Sequence, residues 1–216
     1  MASRPKQAEP RPKPRIYLVT PAIEDAEAFA APLEAALAAG DIAAVLLRLA
    51  PGDERSLINR VKHLAPLMER REAALILEGH ANFVARSGAD GAHLTGIDVF
   101  AETVETLKPD RIAGCGGLDT RHDAMLAAER GADYVMFGEP DPHGQRPAFD
   151  LVEDRIGWWA EVFEAPCVAY AGCLEEVAPL IAAGADFIAL GDWLWRDAAA
   201  NIAAAMREAS PSEGAA

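Results

Sequence analysis

Short apolar runs alternate with longer stretches in which apolar and polar residues recur at helical spacing. Apolar runs bounded by turn-forming residues are typical of strands buried on both faces, and the amphipathic stretches between them predict helices. Strict alternation of strand and helix indicates a parallel sheet. The pattern predicts strands at residues 16–20, 43–49, 73–77, 91–94, 111–115, 134–137, 167–170 and 187–190, and helices at 24–39, 54–71, 80–87, 99–107, 121–130, 151–163, 174–183 and 193–208.

A Gly-Ala-Asp unit recurs between an alanine-rich helical stretch and an apolar run, at residues 88–90, 131–133 and 184–186. A glycine there can take the left-handed conformation that ends a helix, so each unit is predicted to join a helix to the next strand. Another glycine lies at or just past the end of each of these strands, at Gly96, Gly138 and Gly191. Backbone turns tightly or approaches a ligand at such glycines. We therefore expect a binding site at the carboxyl ends of the strands.

Eight strand-helix units in a chain of this length favour closure into a single (β/α)8 TIM barrel, an α/β fold, over residues 16–208. A doubly wound open sheet shares the same alternation and is the alternative. No Gly-x-Gly-x-x-Gly follows the first strand, which weakens the dinucleotide-binding form of that alternative. The basic, proline-rich residues 1–15 predict a disordered tail, and residues 209–216 predict a flexible one.

Composition narrows the range of partners. The chain has 216 residues, a formal net charge of −14 at pH 7 and a pI near 4.7. This acidity disfavours nucleic acid as a partner, although it does not exclude a small phosphate that is held locally. Cys115, Cys167 and Cys173 lack Cys-x-x-Cys spacing, so neither a disulfide framework nor a zinc site is indicated. No apolar run is long enough to span a bilayer, so we expect no membrane partner and a cytoplasmic protein.

Four segments together carry a family resemblance: Tyr17-Leu-Val-Thr20, Ala89-Asp-Gly-Ala-His-Leu94, Gly131-Ala-Asp-Tyr-Val-Met-Phe-Gly138 and Ala183-Gly-Ala-Asp186. In this order and spacing they resemble thiamine-phosphate synthase and its relative, the thiazole tautomerase. The resemblance implies an enzyme of thiamin biosynthesis or salvage that joins a pyrimidine diphosphate to a thiazole phosphate and releases diphosphate with Mg²⁺. It also implies a small phosphorylated heterocycle as the ligand. Assembly into a homo-oligomer is possible, and the sequence does not decide it.

The resemblance implies four phosphate-binding residues at the carboxyl ends of the strands. The family's Gln-x-Arg-x-Lys on the second strand is here Leu-Leu-Arg-Leu-Ala, which keeps the central cation as Arg48. Arg146 stands in the loop after the sixth strand, where the family has a lysine. Gly172 and Gly191 match positions at which backbone surrounds the phosphate. Arg48 could instead pair with an acidic neighbour, and Arg146 could belong to an ordinary surface loop.

The resemblance also implies a magnesium site. The family's Asn-Asp pair after the third strand falls on Glu78 and Gly79, so one metal carboxylate is missing. Asp98 matches the second aspartate of the family. Glu78 is the predicted substitute for the missing one, because Mg²⁺ accepts any carboxylate of suitable reach. Asp98 could instead cap the helix that begins at Val99.

Three further positions bear on the chemistry. Glu139 directly follows the Phe-Gly of the sixth strand, where the tautomerase has its acid/base histidine. A buried carboxyl group with a raised pKa can transfer a proton, and the alternative is a solvated loop glutamate. His93 matches a family histidine and is predicted to be a hydrogen-bonded core residue. Asp192 places a carboxylate beside the expected phosphate, unless it caps the last helix.

These departures from the family pattern leave three functions open. The first is a thiamine-phosphate-synthase-like barrel that binds a phosphorylated thiazole or pyrimidine and has a weakened leaving-group site. The second is a barrel without catalysis that binds a phosphorylated ligand or has a regulatory role. The third is a tautomerase-type enzyme in which Glu139 transfers the proton.

Overall fold

The computed structural model describes residues 12–209 and contains eight parallel strands that pair in sequence order. Because β8 also pairs with β1, the sheet is closed. The predicted (β/α)8 barrel is therefore confirmed, and the open-sheet alternative is wrong. The strands are β1 (Arg15–Ile23), β2 (Ile42–Leu49), β3 (Ala74–Glu78), β4 (Gly91–Thr95), β5 (Ile112–Gly116), β6 (Tyr134–Phe137), β7 (Cys167–Ala171) and β8 (Phe187–Leu190).

A helical segment follows every strand, as the alternation predicts. Four of these segments combine an α-helix with a short 3₁₀ turn, which the hydrophobic pattern does not distinguish from one continuous helix. The helices are α1 (Ala26–Ala38), α2 (Glu54–Glu69), α3 (Val84–Ser87), α4 (Ile97–Thr103), α5 (Arg121–Glu129), α6 (Phe149–Val162), α7 (Val177–Ala183) and α8 (Ala198–Glu208). The 3₁₀ turns are Ala81–Phe83, Val104–Thr106, Leu174–Glu176 and Asp192–Arg196.

The three Gly-Ala-Asp units are structural joints at the amino-terminal end of the barrel. Their glycines have φ angles between 85° and 104°, in the left-handed region that ends a helix. Each aspartate accepts a hydrogen bond from a backbone N–H near the start of the preceding strand, which ties two neighbouring strands together. The pairs are Asp90 with Leu75 (2.8 Å), Asp133 with Ala113 (2.7 Å) and Asp186 with Cys167 (2.8 Å).

The barrel interior is a small apolar core of its own, separate from the larger core between barrel and helices. Aliphatic side chains dominate it, but three tyrosines also point inward. Gly114 makes room for one of them, because a Cβ atom at that glycine would lie 2.1 Å from Cζ of Tyr134. The inward-facing residues are Tyr17, Val19, Ala44, Leu46, Ile76, Tyr134, Met136, Val168, Tyr170 and Ala189.

The ends of the chain bear on two predictions. The tails predicted at residues 1–15 and 209–216 lie outside the described residues, apart from residues 12–15 and 209. Arg15 begins β1 and pairs with Phe187 of β8, so it belongs to the barrel and not to a tail. In the described part of the chain, no helix has the length and apolar character that crossing a membrane requires.

Candidate active site at the barrel mouth

The carboxyl ends of the strands surround a cavity of about 510 Å³ at the barrel mouth. Arg48 and Glu78 reach it from the ends of β2 and β3, and His93 lines it from within β4. Glu139 and Asp192 reach it from the segments that follow β6 and β8. Five side chains singled out in the sequence therefore meet in one cavity, on the face where TIM barrels carry their active sites.

Arg48 lies between two carboxylates. Its Nη1 is 3.2 Å from Oδ1 of Asp192, and its Nε is 3.7 Å from Oε2 of Glu78. The pKa of Glu78 is raised by burial and by Asp192, although Arg48 opposes the rise. The acidic pairing named as an alternative for Arg48 is therefore present. The helix-cap alternative for Asp192 is wrong, because Gly191 holds the N-cap position of the 3₁₀ turn Asp192–Arg196 and Asp197 caps α8.

Glu139 lies between two cavities. It lines the mouth cavity and a second cavity of about 480 Å³ beside the ends of β4, β5 and β6. Its Oε1 accepts a hydrogen bond from the backbone N–H of Gly117 at 2.5 Å. Burial raises the pKa of this carboxyl group to about 7, while the Gly117 N–H and Arg155 lower it to a smaller extent. A carboxyl group with this pKa can give or take a proton near neutral pH.

His93 is a hydrogen-bonded core residue, as predicted, and it also faces the mouth. It is 2% exposed, and its Nδ1 lies 3.0 Å from the hydroxyl of Tyr134. That hydroxyl lies 2.8 Å from the hydroxyl of Tyr17. Burial lowers the pKa of His93 to about 4, so its ring is neutral at pH 7.

Arg146 does not line the mouth cavity, and its hydrogen bonds hold the loop after β6 in place. Its Nη1 and Nη2 donate to Oε1 and Oε2 of Glu176 at 3.1 and 2.8 Å. Its Nε donates to the carbonyl of Gly138 at 2.9 Å, and Nη2 also donates to the carbonyl of Tyr170 at 3.1 Å. A phosphate at this guanidinium would have to displace the carboxylate of Glu176.

The backbone amides of the two predicted phosphate-binding glycines already have partners within the protein. Gly172 donates to Oε2 of Glu176 at 2.7 Å, and Gly191 donates to the carbonyl of Ala171 at 3.3 Å. Glu176 thus accepts hydrogen bonds from both Arg146 and Gly172, at the place where the sequence predicts a phosphate. Phosphate binding by Arg146 and Gly172 stays a prediction, and it requires Glu176 to move.

Comparison with known proteins shows the family of this chain. Residues 16–193 match the family described as thiamine monophosphate synthase. The chain is 42% identical over 193 residues to a thiamine-phosphate synthase of Rhodospirillum centenum, which covers 88% of this chain and 93% of the relative. It is 36% identical over 200 residues to a thiamine-phosphate synthase of Hyphomonas neptunium, with 87% and 89% covered. The chain belongs to the thiamine monophosphate synthase family.

A solved structure agrees with this family at the level of the fold. The thiamine phosphate pyrophosphorylase from Pyrococcus furiosus is similar to this chain with a TM-score of 0.75. The match covers 94% of this chain and 98% of that one, at 20% sequence identity. This likeness shows that the two chains share the closed-barrel fold.

The predicted magnesium ligands of this thiamine monophosphate synthase family member are not gathered into one site. Asp98 is exposed in the first turn of α4 and does not line the mouth cavity, whereas Glu78 does. Gly96 holds the N-cap position of α4, so the N-cap alternative for Asp98 is wrong. Among residues 12–209, no three His, Cys, Asp or Glu side chains form a group that could hold a metal ion. Mg²⁺ binding stays a prediction, because these residues do not form a metal site on their own.

Four residues of this region were not singled out in the sequence: Tyr17, Tyr134, Arg155 and Glu176. The tyrosines carried a usable signal, since each lies at an inward-facing position of its strand. Arg155 of α6 donates to the carbonyl of Leu118 at 2.5 Å and to that of Asp119, which braces the loop after β5. Neither Arg155 nor Glu176 carried a sequence signal, because only the closed fold brings these helical residues to the site.

Proposed function

We propose that this protein acts in thiamin biosynthesis and binds a small phosphorylated heterocycle at the barrel mouth. Family membership supports the pathway, and the position of Arg48 supports the ligand. Among the described residues, Arg48 is the only Lys or Arg that lines the mouth cavity. Its side chain is 26% exposed, so a ligand phosphate can reach its donors and replace one of its carboxylate partners.

The charge of the cavity argues for a weakened leaving-group site. Departure of diphosphate builds up negative charge, which cations and aligned N–H donors must stabilise. Around Arg48 the cavity instead presents the carboxyl groups of Glu78, Glu139, Asp141 and Asp192. Mg²⁺ bound together with the ligand would supply the positive charge that these residues lack. We therefore expect the protein's own residues to bind the ligand better than they promote loss of diphosphate.

Proton transfer by Glu139 is a second candidate function, and one observation favours it. The Glu139 carboxyl group lines the mouth cavity, and burial raises its pKa to about 7. A group in this range can act as a base towards one atom of a bound heterocycle and return the proton as an acid to another. Proton transfer does not require a diphosphate to leave, so the carboxylates of the cavity do not disfavour it.

The ligand can be tested without assuming any turnover. Thermal unfolding is measured with a thiazole phosphate, a pyrimidine diphosphate, and inorganic diphosphate, each with and without Mg²⁺. One of the heterocycles is expected to stabilise the protein. The apparent affinity for that heterocycle, obtained from the thermal shifts, should be at least tenfold lower in Arg48→Gln, a loss of about 1.4 kcal/mol. Arg70→Gln is the control, because Arg70 pairs with Glu34 at an exposed position just after α2 and does not line the mouth.

Turnover then separates the candidate functions. Formation of thiamin phosphate from the two heterocycles supports the synthase, whereas isomerisation of a thiazole phosphate alone, lost in Glu139→Gln, supports proton transfer. Binding that depends on Arg48 without either reaction supports a barrel that binds but does not catalyse. If none of the phosphates stabilises the protein, the proposed ligand class is wrong.

A further inference from the structure

A line of polar side chains runs through the barrel interior, where the other inward-facing residues are mostly aliphatic. The hydroxyls of Tyr17 and Tyr134 are 2.8 Å apart, and the hydroxyl of Tyr134 is 3.0 Å from Nδ1 of His93. All three side chains are at most 6% exposed. Phenylalanine would fill the same space without burying a hydroxyl, so packing alone does not account for these tyrosines.

The upper end of this line reaches Glu139. A Cβ atom on Gly116 would lie 2.0 Å from Oε1 of Glu139 and 2.5 Å from Nε2 of His93, so the two atoms flank the same glycine. Oε1 of Glu139 bonds to Gly117 and Nδ1 of His93 to Tyr134, so a proton would pass between the carboxyl group and Nε2 through one bridging water. His93 therefore presents Nε2 towards the mouth while its Nδ1 is held by Tyr134.

The lower end of the line lies next to a cavity at the opposite end of the barrel. Tyr17 and Tyr134 both line a cavity of about 300 Å³ at the amino-terminal end, beside Arg15 and Asp133. The mouth cavity and this lower cavity share none of their lining residues. The line formed by His93, Tyr134 and Tyr17 thus lies between two separate cavities.

We propose that His93, Tyr134 and Tyr17 relay protons between Glu139 at the mouth and the cavity at the amino-terminal end of the barrel. This rests on the proposed acid/base role of Glu139. A bound heterocycle would cover the mouth and exclude water there, but it would not cover the lower cavity, which shares no lining residue with the mouth. The relay lets Glu139 exchange its proton while the ligand is in place.

The relay is balanced at every step. The Glu139 O–H bond breaks as a bridging water gains its proton, and that water gives one of its own protons to Nε2 of His93. The Nδ1–H bond breaks as the Tyr134 oxygen gains a proton. Tyr134 passes its own proton to the oxygen of Tyr17, which passes its proton to water in the lower cavity. One proton leaves Glu139 and one reaches water. His93 stays neutral and only changes tautomer, from Nδ1–H to Nε2–H.

Several charged groups around Glu139 contribute to its proton affinity. Arg155 from α6 favours the ionised form, as does the N–H of Gly117 after β5. Glu78 from β3 favours the protonated form. Arg48, Asp141 and Asp192 line the same mouth cavity. The imidazole of His93 adds an uncharged group that can pass a proton on.

The tautomer of His93 tests the coupling directly. With ¹⁵N-labelled histidine, NMR of the full chain should show Nδ1–H below and Nε2–H above the titration of Glu139, with a midpoint near pH 7. Glu139→Gln and Tyr134→Phe should each abolish this switch. Tyr170→Phe is the matched control, because it removes an inward-facing hydroxyl outside the line, and it should leave the switch intact. A His93 tautomer that stays the same across the titration overturns the coupling.

Exchange with water tests the exit. In Tyr17→Phe the His93–Tyr134 contact remains, so the tautomer switch should persist. Below pH 7, where Nδ1 carries the ring proton and faces Tyr134, exchange of that proton with water should slow about tenfold, because the hydroxyl between Tyr134 and the lower cavity is gone. Unchanged exchange overturns the relay to the lower cavity. Neither measurement uses a substrate. A pH-dependent switch in a protein that turns over none of the phosphates would therefore leave the relay standing and reject the proposed acid/base function.

Discussion

The sequence predicts phosphate binding for both Arg48 and Arg146, but the structure gives the two arginines different surroundings. Arg48 faces the mouth cavity, and its two carboxylate partners, Asp192 and Glu78, are 65% and 47% exposed. Arg146 faces Glu176, which is 18% exposed, and makes a bidentate ion pair with it. Exposed pairs contribute little and exchange readily, whereas a partly buried bidentate pair is costly to break.

The difference between the two arginines shows that a position can keep its positive charge while the contacts of that charge change. Arg146 occupies the position of a family lysine, yet four of its hydrogen bonds go to Glu176, Gly138 and Tyr170. Arginine presents its donors in a rigid fork that suits a carboxylate and carbonyl groups as well as a phosphate. The partner decides between these roles. Arg48 therefore faces the mouth cavity, whereas Arg146 holds the loop after β6 in place.

The largest expected effect is on stability. Arg146→Ala should lower the free energy of unfolding by about 2–4 kcal/mol, because it leaves the partly buried Glu176 without its partner and frees the loop after β6. Arg48→Ala should lower it by less than about 1 kcal/mol. Urea unfolding of both variants measures the difference.

A double-mutant cycle shows whether the effect belongs to the pair. In Arg146→Ala with Glu176→Ala, the loss should be clearly smaller than the sum of the two single losses, since the second change removes the unpaired charge. Equal losses for Arg48→Ala and Arg146→Ala would remove the distinction between the two arginines.

A smaller effect on stability concerns Glu139. Its side chain lines both the mouth cavity, which Arg48 also lines, and the second cavity, which Arg146 lines. Its pKa in the folded protein, about 7, is above the ordinary value of 4.5, so the folded state binds the proton more tightly than the unfolded state. Stability from this group is therefore full below about pH 4.5 and is lost as the pH rises to 7. Glu139→Gln cannot ionise and should gain about 1–2 kcal/mol relative to the natural protein across that range, allowing for solvent screening.

Thermal unfolding from pH 4 to pH 8 measures this difference. It should grow between pH 4.5 and 7 and then stay constant. Glu153→Gln on α6 is the control, because Glu153 is exposed there and lines neither cavity. A constant difference between Glu139→Gln and the natural protein at every pH would mean that Glu139 is as solvated as an ordinary loop glutamate.

The sequence was sufficient for the barrel because each strand-helix unit carries a local signal. Hydrophobic periodicity located every strand, and the Gly-Ala-Asp repeat marked three of the joints between helix and strand. Residues at the ends of strands could also be placed, since parallel strands bring their carboxyl ends to one face. Arg48, Glu78, Glu139 and Asp192 meet at the mouth for this reason.

Partners across the barrel could not be predicted in the same way. Glu176 reaches Arg146 from 30 residues away, and Tyr17 meets Tyr134 across 117 residues. No local pattern encodes either contact, because both depend on the stagger of strands and on the course of loops. The carboxylate of Glu176 is therefore the main feature of the site that sequence reasoning missed, and it changes how Arg146 is interpreted.

The smallest expected effect concerns Asp192, whose carboxylate competes with a ligand for Arg48. Its side chain is 65% exposed, so water and salt weaken its hold on Nη1 at 3.2 Å. Asp192→Asn should raise the affinity for inorganic diphosphate about three- to fivefold, with a smaller gain at high salt. Isothermal titration measures the change. Glu129→Gln on the exposed surface of α5 changes the net charge equally and should have no such effect. If Glu176→Gln gave the larger gain, Arg146 would be the arginine that binds the ligand phosphate.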